Sequence, residues 1–183
     1  MNRIAIPATI EESAEKSQPL LRSLEAKMKV VPAFFRVLGA SPAALQGVLG
    51  ISGALAGGKL DAKTRERIAL AVANVNGCDY CNAAHSFAGT LTGLGLGELS
   101  AARSGRSEDA KADAAVRFAR KVAVSRAEVS DADVGELRLA GYTDAEIVEI
   151  VVHVGFSTLT NYVNEVFQTP IDFPAVEPAL RAA

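Results

Sequence analysis

The chain has 183 residues, 49% of them apolar and 22% charged, with a formal net charge of -2. That length predicts one domain, 1–183, able to bury a proper core, and the composition is that of an ordinary soluble globular protein. The charge gives no reason to expect nucleic acid or an anionic membrane as partner. No apolar run reaches the ~18 residues of a membrane span, and the start M-N-R-I-A-I-P lacks a signal peptide's basic head and apolar run, so the expected location is cytoplasmic.

Residues 1–19 are polar and weakly patterned and read as an arm or a short helix. Pro19 to Lys29 suits a helical turn or more, and Val31-Pro32 opens a short apolar helix closed at Gly39. Ser41-Pro42 is a helix start, a capping hydroxyl followed by proline at the first helical position. This helix runs to Gly57-Gly58. Its glycines, Gly47, Gly50 and Gly53, make a thin face at a cost of roughly 1 kcal/mol each relative to alanine, so close approach of another helix is expected there.

Asp61 caps the next helix, which carries Glu66 and ends near Gly77. Its second half, I-A-L-A-V-A-N-V, is apolar on nearly every side and predicts a central core helix. Cys78 starts another helix, to about Thr92. After the Leu94–Gly97 turn a short helix reaches Arg103, and Ser107 caps a longer one with Ala115, Phe118, Ala119 and Val122 in one stripe. Asp131 to Leu139 is a short helix ended by Gly141. Thr143 and Glu146 form a capping box for the longest helix, ~24 residues to Phe167. Thr169-Pro170 ends it, and an extended tail is expected to lie on a neighbouring surface. Leu60-Asp61 leading to Ile68, Leu70 and Val72 echoes Tyr142-Thr143 leading to Ile150, Val152 and Val154, as a duplicated hairpin or two ordinary capped helices would. Period-two alternation is absent, so the reading is all-α, a helical bundle.

The chemistry centres on Glu66 to His85. At ~100° per residue, Cys78, Cys81 and His85 fall within roughly a 60° sector of one helix face. Two cysteines at C-x-x-C spacing suggest redox chemistry or metal ligation, an inert buried pair being the plain alternative. A thiolate at a helix N-terminus gains from the positive end of the helix dipole, and a second thiol one turn away can accept a disulfide. His85, four residues after Cys81, can take the thiol proton and pass one to a leaving group. Glu66 sits among alanines and a leucine, where it is either a companion to the thiol–imidazole cluster or a solvated carboxylate near a helix start. Zinc held by Cys78, Cys81 and His85 with Glu66 fourth is a rival, weakened by the lack of a second C-x-x-C.

Tyr80 should point away from the cysteines' shared face, to pack at the rim or lend its hydroxyl to the proton network. His153 reads as structural, one turn after Glu149 in a solvated pair. G-L-G-L-G at 93–97 has no preceding strand and reads as a helix terminus rather than a phosphate loop.

The set Glu66, eleven residues, Cys78-x-x-Cys81, three residues, His85, flanked by R-E-R-I-A-L-A-V and N-G-C-D-Y-C-N-A-A-H-S, resembles the carboxymuconolactone decarboxylase superfamily in its alkylhydroperoxidase D-like (AhpD-like) branch. The likeness extends over about residues 30–176 and is greatest to uncharacterised peroxidase-related members. It implies an AhpD-like helical bundle assembled as trimers or hexamers, and an antioxidant thiol peroxidase that reduces hydroperoxides with no added cofactor or metal. In the family's assignment the second cysteine, here Cys81, attacks peroxide, the first, here Cys78, resolves the sulfenic acid to a disulfide, and Glu66 and His85 relay protons. A dithiol electron donor such as a dihydrolipoyl protein is implied. Tyr80 stands where alkylhydroperoxidase D has a histidine, so one part of that relay is replaced. The decarboxylase branch lacks the cysteine pair, which argues against lactone decarboxylation. The competing readings are a zinc-binding or redox-sensing module and a decarboxylase-like lyase.

Overall fold

The computed structural model describes residues 3–178. Among them lie a 3₁₀ turn at Glu15–Ser17 and nine α-helices, with no strand. In chain order these are α1 (Gln18–Met28), α2 (Ala33–Leu38), α3 (Pro42–Ala56), α4 (Ala62–Val75), α5 (Asp79–Leu91), α6 (Leu96–Arg103), α7 (Ala110–Val124), α8 (Asp131–Leu139) and α9 (Asp144–Phe167). No helix of the described residues is long and apolar enough to cross a membrane.

Helix α4 is the axle. Ile68, Leu70, Ala71, Val72 and Ala73 are fully buried, because α5, α6, α7 and α9 all pack against it. Burying a side chain such as Ile68 or Leu70 contributes about 1.5–3 kcal/mol. Ile68 and Val72 join the α7 stripe Ala115, Phe118, Ala119 and Val122 in one core cluster. Leu60 and Tyr142, the residues preceding the two echoing N-caps, enter the same cluster. A second cluster joins Leu21, Phe34, Leu45 and Val48 to Ala73, Cys78, Tyr80 and Cys81, and so forms the floor under the cysteines.

Local chemistry sets the boundaries. Ser41 accepts from the Ala44 amide at 3.3 Å and Asp61 from the Thr64 amide at 3.0 Å, caps worth about 1 kcal/mol each. Thr143 and Glu146 form the expected capping box at α9. The cap of α7 is Asp109, not Ser107. Ser107 is drawn away because the buried carboxylate of Glu98, which takes the Arg67 guanidinium at 2.5 Å, also recruits the Ser107 hydroxyl and the Glu108 amide.

The glycine face of α3 differs from expectation. A Cβ built at Gly47, Gly50 or Gly53 meets nothing within 4 Å. The helix buries Leu45, Val48 and Leu55 instead, and its glycine side faces outward.

Candidate active site

The α4–α5 turn brings the cysteines into place. Gly77 takes a positive φ of 67°, a conformation open to glycine at little cost, and turns the chain out of α4 while the Cys78 amide still bonds Ala73 O at 3.0 Å. Cys78 thereby becomes the N-cap of α5. Its sulfur accepts from the Cys81 amide at 3.3 Å, as a serine hydroxyl would. Both thiols are free and buried, Cys78 completely and Cys81 to 3% exposure.

One turn on, His85 meets the acid from the preceding helix. Its Nδ1 lies 2.8 Å from Glu66 Oε2, with the imidazole a third exposed and the carboxylate a fifth. Burial works to lower the His85 pKa, but the Glu66 carboxylate, with Cys81 adding to it, raises it above the ordinary value. Glu66 is thus a partner of the imidazole, not a solvated carboxylate.

The two sulfurs are driven apart in acidity. A hydrogen bond between them keeps the proton on Cys78, whose pKa burial also raises, and lowers that of Cys81. His85 and the side-chain amide of Asn164 further favour the Cys81 thiolate against the cost of its burial. Asn164 Nδ2 reaches the Cys81 sulfur at 3.3 Å, and Asn161 is oriented by accepting from Asn76 Nδ2 at 2.8 Å. These asparagines were not legible as site residues. They come from α9, eighty or more positions beyond the cysteines.

A cavity of about 410 Å³ opens beside this cluster. Cys81, Glu66 and His85 line it, with Phe34, Val48, Leu55 and Phe156 as apolar wall, whereas Cys78 lies behind Cys81. The size is that of a small-molecule site.

The carboxymuconolactone decarboxylase family profile matches residues 42–125. The chain is also similar to solved structures at the level of fold. One is an alkylhydroperoxidase AhpD core, an uncharacterized peroxidase-related protein from Ralstonia eutropha JMP134, with TM-score 0.85, 23% identity, and coverage of 93% of this chain and 92% of that one. Another is an uncharacterized peroxidase-related protein from Silicibacter sp. TM1040, with TM-score 0.81, 23% identity and coverage of 92% and 91%. A third is the debrominase Bmp8, as a cysteine-to-alanine variant in complex with 2,3,4-tribromopyrrole, with TM-score 0.79, 21% identity and coverage of 94% and 93%. Over residues 42–125, then, the chain is similar in sequence to the carboxymuconolactone decarboxylase family. Its fold is the all-α one of the AhpD-like branch. No curated protein matches the sequence.

Within this fold, Tyr80 does not join Glu66 and His85. Its hydroxyl accepts from the Phe34 amide at 3.2 Å and bonds Asp172, which itself accepts from the Ala33 amide at 2.6 Å. Phe173 of the tail packs edge-on to the Tyr80 ring, so the tail lies on α2 and α5 as expected and closes one end of the cavity.

His153 is not a solvated partner of Glu149. It is 8% exposed on the cavity wall, with Nε2 unpartnered among the described residues. Glu149 instead accepts from the amides of Lys59 and Leu60 across the α3–α4 turn. Glu66 is committed to His85, and among the described residues no three His, Cys, Asp or Glu side chains are grouped to hold a metal ion.

Proposed function

We propose that the protein is a dithiol peroxidase that reduces organic hydroperoxides, with Cys81 as nucleophile and Cys78 as resolving thiol. The observation that carries this is the asymmetry of the two sulfurs. Cys81 faces the cavity and is held toward the thiolate, and Cys78 sits behind it, buried and protonated.

In the first step the Cys81 thiolate attacks the terminal peroxide oxygen. The S–O bond forms, the O–O bond breaks, and the leaving alkoxide takes a proton from His85 to become an alcohol. Cys81 is then a sulfenic acid. Cys78 attacks that sulfur, the disulfide forms, and hydroxide leaves as water with the remaining proton. Capture by a thiol one turn away limits over-oxidation. Glu66 holds the imidazole so that it is charged when a proton is needed, and takes part only through His85. An external dithiol, such as a dihydrolipoyl group, then reduces the disulfide by two exchange steps and leaves as its own cyclic disulfide.

The test is stoichiometric cumene hydroperoxide on reduced protein, followed by thiol counting and intact mass. Loss of both thiols with one equivalent of alcohol formed supports the reading. Unchanged thiols with hydroperoxide left over would sink it.

The apolar wall favours one second reading, removal of bromine from an organic substrate, Bmp8 being named a debrominase. There the Cys81 thiolate would take a bromine from carbon, the carbanion would be protonated by His85, and Cys78 would displace bromide to give the same disulfide. Bromide release from 2,3,4-tribromopyrrole, matched by thiol loss, would select it over peroxide reduction.

Self-association into trimers or hexamers belongs to the same proposal. The outward glycine face of α3 and the exposed Val148, Val152, Leu159 and Val166 of α9 form apolar surface suited to a second copy. Light scattering at micromolar concentration tests it, and a monomer would contradict it.

A further inference from the structure

We propose that Arg65 is the anion-recognising end of the cavity, and that the substrate is an organic molecule with an apolar body and one carboxylate, seated on Arg65 with its reducible bond at Cys81. The assignment of the reacting end rests on Cys81 being the nucleophile. The binding of a carboxylate does not.

The polar side chains on the cavity wall are not equivalent. Glu66 and His85 satisfy each other. Arg65, in the adjacent position along α4, also lines the cavity and has no carboxylate within ion-pair distance among the described residues. Its Nη1 donates to Ala56 O at 3.3 Å and Leu60 O at 2.8 Å, which fixes the guanidinium against the α3–α4 turn. Glu149, the acid at the same turn, is clamped on the Lys59 and Leu60 amides.

Arg65 is half-buried, so its guanidinium has donors left to offer an anion that enters the cavity. The free part of the guanidinium, Nε and Nη2, is the planar fork that matches a carboxylate with two parallel hydrogen bonds. His153 stands on the same wall, buried. Burial and then the Arg65 charge lower its pKa, so it faces the site as a neutral ring. One fixed cation suits one carboxylate better than a doubly charged phosphate. The remaining wall, Phe34, Phe35, Leu55, Phe156 and Leu91, suits an aromatic or alkyl body.

Calorimetry with 4-phenylbutyrate and 4-phenylbutanol on the reduced full-length protein tests this without any turnover. The acid should bind roughly tenfold more tightly than the alcohol, the scale of a hydrogen bond to a charged group. It should also slow iodoacetamide alkylation of Cys81. Arg65→Gln should remove the tenfold preference and leave alcohol binding unchanged, and Arg65→Lys should restore part of it. Equal binding of acid and alcohol to the unmodified protein, or acid binding that leaves Cys81 unprotected, would overturn the proposal even if the variants fold poorly. A protein that prefers the acid yet consumes no hydroperoxide would keep this subsite and sink the peroxidase reading. One that consumes hydroperoxide yet ignores the carboxylate would do the reverse.

Discussion

Asn164 of α9 donates its side-chain amide to the sulfur of Cys81 at 3.3 Å. This bond crosses from the last helix to the first turn of α5 and favours the thiolate over the thiol. Asn164→Ala should therefore raise the Cys81 pKa. The expected outcome is a roughly tenfold slower alkylation of Cys81 at neutral pH, recovered at alkaline pH where the thiolate forms without help. A pH profile of iodoacetamide reaction checks it. An unchanged profile would mean that the contact is packing only.

Glu66 acts on the imidazole. Replacing it by Gln removes the charge that raises the His85 pKa and leaves burial, which lowers it. The sign follows directly: His85 should lose its proton at lower pH in Glu66→Gln than in the unmodified protein. Nitrogen-edited NMR of the ring measures the midpoint. Reaction with hydroperoxide at pH 7 should fall by roughly 10²–10⁴, the usual scale for losing a positioned proton donor. A midpoint that stays in place would remove Glu66 from the mechanism.

Tyr80 supplies a contrast. Its hydroxyl serves the Phe34 amide and Asp172, away from the Glu66–His85 pair. Tyr80→Phe should cost about 1 kcal/mol of stability and leave the pH profile of Cys81 alkylation where it was. A displaced profile would restore the tyrosine to the proton network.

How much of this could be read from the residues depends on how local each cause is. Caps at Ser41, Asp61 and Thr143 were legible because the donor and acceptor are three positions apart. The Glu66–His85 pair was legible only through the family resemblance, because the residues alone left Glu66 as either a companion of the cluster or a solvated carboxylate. Asn161, Asn164, Arg65 and His153 were not, since only the packing of α9 against α4 and α5 decides what they face. The Ser107 cap fails for a related reason. A buried carboxylate on α6, invisible to local spacing, competes for the hydroxyl.

That carboxylate makes a stability prediction. Glu98 is 7% exposed, and hydrogen bonds from Ser107, Glu108 and Arg67 outweigh burial and hold its pKa below the ordinary value. Its contribution is full above the unfolded carboxylate pKa and is lost as pH falls through the lower folded one. Glu98→Ala leaves Arg67 buried without its acid and should cost about 3–5 kcal/mol. Urea melts at pH 7 and again in acid measure it, with the difference from the unmodified protein shrinking at low pH.

The division of labour between the two sulfurs is tested most directly by trapping sulfenic acid with dimedone after one equivalent of cumene hydroperoxide. Cys78→Ser protein should carry the label on Cys81 after a single turnover, while Cys81→Ser protein should neither consume hydroperoxide nor become labelled. Label on Cys78 in the Cys81→Ser protein, or no label on Cys81 in the other, would contradict the assignment of Cys81 as the attacking thiol.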